Sequence, residues 1–322
     1  MHTSPASTIG VDIGGTKVLA GVVDAEGHVL SVVGKQTPHR SKSPADVEDT
    51  IAEAVLELAA THEVAGVGVG AAGFVDASGS EVLFSPHLSW RREPLRAALE
   101  SRLGLPVVVD NDANTTALAE VRFGAGHGFS QLLCVTLGTG IGGALVVNGD
   151  VFRGGNGIAG EFGHMQMVPS GRRCECGNRG CWEQYTSGNA LVREARELIT
   201  SESPAAHRLR DRVEDEPGRL TGQLVTEVAL TGDAAATELF QEIGRWLGTG
   251  LASLTAAFDP EIIIVGGGLS QAGELLLEPA REAFRRTLSG RGFRPEPAIV
   301  TVQLGVNAGF IGAADLARSA LS

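Results

Sequence analysis

Gly10–Val23 reads GVDIGGTKVLAGVV, and Cys134–Val147 reads CVTLGTGIGGALVV. Each stretch is an apolar strand, a glycine turn and a second apolar strand. The repetition predicts an internal duplication, two domains built on one plan. In the first copy the strands are Thr8–Ile13 and Val18–Val23, and the Asp24–Gly27 turn leads into a third over His28–Lys35. Pro44 after Ser43 predicts a capped helix start, with Val47, Ile51, Val55 and Leu58 following at helical spacing. Val64–Ala71 and Pro106–Asp110 read as strands, Ala113–Phe123 as a helix. In the second copy the strands are Leu132–Leu137 and Ala144–Val147. Phe240, Ile243, Leu247, Leu251, Leu254 and Phe258 mark one face of a long helix. Ile262–Val265 is a short buried strand, Ala298–Gln303 a last strand and Ala308–Ala317 a last helix. The charged, proline-containing stretch near 200–220 predicts an exposed connection. Strands and helices alternate, so the class is α/β, two domains with a central cleft. We expect a small domain over 1–116 plus 305–322 and a large one over 117–304.

A glycine turn between strands presents backbone N–H groups to phosphate oxygens with no Cβ in the way. Asp12 stands beside the turn Gly14-Gly15, and Thr16 and Lys17 follow it. An acid for Mg²⁺, a hydroxyl and a cation suit a nucleotide phosphate tail; a plain hairpin accounts for DIGGTK equally well. The second turn, GTGIGG at 138–143, matches the dinucleotide fingerprint on paper, but that motif must open a helix and ALVV follows here. The Walker lysine-serine pair is also missing. Two similar turns, one per domain, fit phosphates held between two lobes.

CECGNRGC at 174–181 spaces Cys174, Cys176 and Cys181 as C-x-C-x4-C, and His164 lies upstream. Three thiolates and one imidazole make a closed tetrahedral zinc site of the structural type. A chance cluster or a redox pair is the competing reading, and three of the chain's four cysteines gathered near a histidine count against it. Cys134, inside a strand, reads as core. Glu161 and Glu183 flank the cluster, and a loop folded on zinc would fix both carboxylates where they can accept hydrogen bonds from a polyol. Taken singly, each is equally a solvated surface acid. Asp112 follows a buried strand and precedes a helix. Such a position suits a general base in a ligand crevice, or a helix N-cap supplied by Asp112 or Asn114.

Composition narrows the partners. The 322 residues carry a formal net charge of −12, which repels phosphate backbones and anionic lipid and argues against nucleic acid and membrane partners. MHTSPAST has neither a basic nor an apolar signal region, and no stretch is apolar enough to span a bilayer. Clustered cysteines of this kind belong to a reducing compartment, so the expected location is cytoplasmic.

DIGGTK (12–17), NDANTTALAE (111–120), LGTGIGGALV (137–146), GEFGHM (160–165) and CECGNRGCWEQYTSG (174–188), in this order, resemble the ROK family of sugar kinases and repressors. SPHLSWRREPL (85–95) with the cysteine motif is most similar to the family's actinobacterial glucokinases. The resemblance covers nearly the whole chain and implies an actin-like ATPase (ribonuclease H-like) fold that phosphorylates glucose with ATP. It implies Asp112 as the base on the sugar 6-hydroxyl, and Gly73, Asn111, Glu161, His164 and Glu183 around the sugar. His164 would serve zinc and sugar at once. Asp12, Gly14, Gly15, Thr16 and Lys17 match the first phosphate motif, Gly138 and Thr139 the second, and Gly266, Gly267 and Gly268 the adenosine end. The implied cofactors are structural Zn²⁺, on His164, Cys174, Cys176 and Cys181, and Mg²⁺ with ATP; the implied assembly is a homodimer or homotetramer. His87 departs from the Pro-Asn-Leu that many members carry in the sugar loop. A sugar-responsive repressor of the family would need a DNA-binding segment before Thr8, where the sequence has no room for one. A zinc-stabilised sugar-binding protein without catalysis would not need Asp112 and both phosphate turns.

Overall fold

The computed structural model describes residues 7–213 and 217–321. In chain order the first elements are β1 (Ser7–Ile13), β2 (Lys17–Val23), β3 (Val29–Gln36), α1 (Pro44–Ala59) and β4 (Val64–Ala71). There follow β5 (Phe74–Val75), β6 (Val82–Phe84), β7 (Arg91–Glu93), α2 (Leu95–Leu103), β8 (Val107–Asn111) and α3 (Asp112–Phe123). Next come β9 (Gln131–Leu137), β10 (Ile141–Val147), β11 (Asp150–Val151), α4 (Gly188–Thr200), α5 (His207–Val213), α6 (Gly222–Leu230) and α7 (Ala234–Phe258). The chain finishes with β12 (Ile262–Gly266), α8 (Glu274–Thr287), β13 (Ala298–Thr301) and α9 (Ala308–Leu321). It divides into two compact units. The first takes in the chain up to Cys134, Gly143–Gly160 and everything from Val302; the second takes in Val135–Gly142 and Glu161–Thr301. The boundary expected at residue 116 falls inside α3, which packs against α9, and α3 lies whole in the first unit.

The first unit is built on a sheet of order β3-β2-β1-β4-β8. A short glycine turn joins β1 to β2, so they pair antiparallel; α1 separates β3 from β4, and β4 returns parallel to β1. α1 begins where the sequence places it. Ser43 caps it in a reciprocal capping box with Asp46, and Pro44 occupies the first turn. Its buried Val47, Ile51, Val55 and Leu58 share one core with Val18, Ala20 and Val22 of β2. A small sheet, β5-β6-β7, and α2 complete this side; neither is anticipated from the sequence, because β5 to β7 are only two or three residues long.

α9 covers the other face at a separation only glycine permits. A Cβ at Gly10 would lie 1.7 Å from Phe310 O, and one at Gly68 1.7 Å from Ala313 O. Gly312 makes the same approach to α3, 1.8 Å from Thr115 O. These obstacles are backbone and cannot rotate away. Gly68→Ala is therefore expected to destabilise the first unit by about 3 kcal/mol or more, read by urea unfolding; an unchanged midpoint would show that α9 slides to make room. Glu120, fully buried, pins the chain's return: its carboxylate accepts from the amides of Ala125, Gln303 and Leu304 at 2.8, 3.0 and 2.9 Å. That pin also ends the last strand at Thr301, short of the Gln303 expected from the sequence.

The second sheet has order β11-β10-β9-β12-β13. It repeats the plan of the first in strand order: a hairpin flank, then parallel strands after a helical crossover, with β10 and β11 antiparallel and β12 and β13 parallel. The duplication read from the two glycine turns is thus present in the topology. α7 buries Phe240, Ile243, Leu247, Leu251 and Leu254 as expected, whereas Phe258 at its last turn is exposed and sits beside the Phe162 ring. The stretch near 200–220 is exposed at most of its described residues, as expected, but is more than a plain connection. It carries α5, with Ala206, Leu209 and Val213 buried; its residues 214–216 lie outside the described ones. Among the described residues no helix is long and apolar enough to cross a membrane.

Candidate active site

In the first unit the ends of three neighbouring parallel strands carry the candidate residues. Asp12 of β1 stands opposite Gly70 of β4, and Gly70 opposite Asp110 of β8. Gly73 follows β4, and Asn111 and Asp112 form the junction between β8 and α3. Such C-terminal strand ends are where open α/β sheets bind ligands. The helix cap is Asn111, not Asp112 or Asn114. Its Oδ1 accepts from the amides of Ala113 and Asn114 at 2.9 and 3.2 Å, and its Nδ2 donates to Gly73 O at 3.1 Å. Gly73 needs its φ of 147°, and a Cβ there would meet Phe84 O at 2.6 Å. Two residues expected at the sugar are therefore bonded to each other.

With Asn111 as cap, Asp112 is left half-buried at the first helical position. Burial pushes its carboxyl up to about 6, with a smaller push from the charge of Asp110 and an opposing pull from the Ala113 amide. Burial, and then the Asp112 carboxylate, push Asp12 up to about 7. Two neighbouring carboxylates with pKa values moved into the working range of a base are what proton transfer or divalent-cation binding requires. A Cβ at Gly309, at the start of α9, would lie 2.6 Å from the Asp12 carboxyl carbon, so that helix start is closed on Asp12.

The glycine turns separate into two kinds. Gly267 is demanded by the fold: its φ is 80°, and a Cβ would meet Leu137 O at 2.4 Å. A Cβ at Gly14 would make only ordinary contact, with Lys17 O at 3.5 Å, and at Gly138 or Gly268 it would meet nothing within 4 Å. None of these three has a positive φ. The protein does not itself require glycine there. Lys17 lies along β3, where its Cε would stand 2.9 Å from a Cβ at Gly34. In the second unit the turn after β9 is held by the start of α4, whose Gly188 amide donates to Gly138 O at 2.8 Å. α4 is absent from the sequence expectations, although Ser187, its N-cap, accepting from the Ala190 amide, is the signal that marks it.

The second unit also assembles the cysteine loop. Donor atoms of His164, Cys174, Cys176 and Cys181 all lie within 4.8 Å of one another. Cys176 Sγ is 3.6 Å from Cys181 Sγ, and Cys174 Sγ is 3.7 Å from His164 Nδ1. Ligands at zinc distances around a tetrahedral centre stand about 3.6–3.8 Å apart, and a disulfide would need about 2.05 Å. The residues thus fit a tetrahedral metal, with Nδ1 as the histidine's ligand atom. Burial, and then Glu183, push the Cys174 thiol up; a divalent cation is the group that would hold such thiols as thiolates. His164 Nε2 faces Glu161 Oε2 at 3.9 Å, and Glu183 Oε1 accepts from Cys174 Sγ at 3.0 Å. His164, Glu161 and Glu183 therefore come together on the cluster. Trp182, fully buried beside Cys181, anchors the loop: its Nε1 donates to Trp246 O at 2.9 Å.

Comparison with known proteins bears on this arrangement. The model of the ROK family matches residues 8–320. The glucokinase of Streptomyces coelicolor is 47% identical over 97% of this chain and 97% of its own. The crystal structure of a ROK family glucokinase from Streptomyces griseus, in complex with glucose and AMPPNP, superposes with a TM-score of 0.92 at 48% identity, covering 97% of this chain and 99% of that one. The ROK hexokinase of Thermus thermophilus gives 0.77 at 35% identity, covering 98% and 99%. The chain has the actin-like ATPase fold and belongs to the ROK family.

Proposed function

We propose that this protein is an ATP-dependent glucokinase. The observation that carries the reading is its likeness, at close to half of all positions and nearly full length, to a glucokinase that holds glucose and an ATP analogue. Asp112 is the group to take the proton of the glucose 6-hydroxyl as that oxygen attacks the γ-phosphate. The residues for the sugar are Asn111 and the Gly73 backbone, joined by their own hydrogen bond, and Glu161, His164 and Glu183. Asp12 is the acid that would meet the Mg²⁺ bound with ATP, and that ion would shield the phosphate charge. The turns at Gly14–Lys17 and Gly138–Thr139 present backbone to phosphate, and Gly266–Gly268 serve the adenosine end. His164, Cys174, Cys176 and Cys181 hold zinc, which orders the sugar-binding loop and takes no part in the chemistry.

The test is production of glucose 6-phosphate from glucose and MgATP, followed in a coupled assay beside a panel of hexoses and N-acetylhexosamines. Glucose is expected to give the highest kcat/KM. Turnover confined to an amino sugar would replace the substrate assignment, and none on any sugar would overturn the kinase reading. Gly138→Ala separates phosphate binding from folding. Nothing in the protein meets a Cβ there, so melting is expected to stay within about 1 °C, a change of a few tenths of a kcal/mol. KM for ATP is expected to rise about tenfold, a loss of about 1.4 kcal/mol. An unchanged KM would exclude this turn from the nucleotide site.

A further inference from the structure

Asp110 is not used by the chemistry above, yet it is the best-connected carboxylate beside it. It is 5% exposed at the end of β8. Its Oδ1 accepts from the Asn111 amide at 2.7 Å and from Asn114 Nδ2 at 2.8 Å. Its Oδ2 accepts from Arg153 Nε and Nη2 at 2.8 and 2.6 Å. Arg153 follows β11 and is tied back by a bond from Nη1 to Val151 O at 3.2 Å. A buried carboxylate with four donors on it is held in place, and the two residues it holds through bonds, Asn111 and Asn114, bracket Asp112.

We propose that Arg153 is a positioning residue for phosphoryl transfer: through Asp110 it fixes the Asn111–Asp112 corner and cancels the negative charge adjoining the base. The inference rests on Asp112 acting as that base. Among the described residues, the charges that bear on Asp112 include Asp110 from β8, with Arg153 behind it, and Asp12 from β1, whose own carboxyl Asp112 pushes upward. β4 carries no ionisable residue, and the first ionisable residue of α9 is Asp315, two turns along the helix. Asp110 already pushes the Asp112 carboxyl upward with Arg153 in place. Without the guanidinium, an unbalanced negative charge beside Asp112 favours its neutral form, and a neutral carboxyl cannot accept the sugar's proton.

The experiment is the pH profile of kcat for glucose in Arg153→Met, Asp110→Asn and Asp112→Asn, beside wild type. Arg153→Met is expected to move the acidic limb up by about one pH unit, so that most of its activity loss at pH 6 returns by pH 8.5. Asp110→Asn leaves Arg153 unbalanced and is expected to move the limb the opposite way. A purely structural ion pair would lower activity evenly across pH in both variants. An unmoved limb in either folded variant overturns the proposal, and Asp110→Asn decides alone if Arg153→Met does not fold. Retained turnover in Asp112→Asn would instead overturn the base assignment. Collapse there with an unmoved limb elsewhere overturns only the part given to Arg153.

Discussion

Asp112→Asn is expected to lower kcat for glucose phosphorylation by about 10²–10⁴-fold, with KM for glucose changed little, while the protein becomes more stable at neutral pH. The amide keeps the shape and can still accept from the Ala113 amide, which bonds Asp112 Oδ1 at 3.0 Å, but it cannot take a proton. The stability effect follows from the raised carboxyl. A group with a folded pKa of about 6 against an ordinary value of 3.8 binds its proton more tightly in the native state. The stabilisation this provides is complete below the unfolded value and is lost as pH rises through about 6. At pH 7.5 the wild type has lost it, whereas asparagine never carries the charge. The gain is on the order of 1–2 kcal/mol after subtracting the favourable placement of a negative charge at a helix start. It is expected to vanish near pH 4. Urea unfolding at pH 4.5 and 7.5 with the coupled assay reads both effects. A variant that is inactive and less stable at pH 7.5 would mean that Asp112 holds the corner together rather than acting as base. If Asp112 is the base, the same carboxyl is expected to set the acidic limb of the wild-type rate profile near pH 6. Binding of Mg²⁺ with ATP would bring it lower.

Removal of zinc is expected to have the second large effect. Stripping the metal, or replacing its ligand in Cys181→Ser, is expected to cost several kcal/mol of stability and more than tenfold in glucose kcat/KM. The loop from Glu161 to Glu183 has little core of its own. It is held by bridges between Gln166 and Cys181 and between Arg173 and Arg179, and by the Trp182 anchor. Gly180 packs so closely there that a Cβ would lie 1.7 Å from Val168 O. His164 and Glu183 lie on the cluster itself, so a loosened loop is expected to lose the proposed sugar contacts as it loses stability. Elemental analysis is expected to give one zinc per chain. Metal-free protein that melts normally and phosphorylates glucose normally would refute the coupling. Loss of stability with unchanged KM would leave the metal structural but separate from the sugar.

Much of this was legible in the chain because it depends on local chemistry. Alternation of apolar residues around DIGGTK and LGTGIGG defines paired strands wherever they are placed, and Ser43-Pro44 caps a helix through its own side chains. Cys174, Cys176 and Cys181 lie so near in sequence that a loop can close on one ion without outside help. Other features depend on partners far along the chain. β5, β6 and β7 are too short to show a period and exist because they pair with one another. Which residue caps the helix after β8 was undecidable from NDAN. It was settled when Asn111 turned its side chain to the Ala113 and Asn114 amides and to Gly73 O. Glycines needed by the fold look the same in sequence as those that are not. Gly68 and Gly267 are distinguished from Gly138 only by the backbone that comes to meet them. The charge balance next to Asp112 depends on Arg153, 43 positions from Asp110. Residue types and spacing specify which strands, turns and ligands the chain can form. The packing of distant backbone specifies which of those groups are used up in holding the fold, and which are left to act.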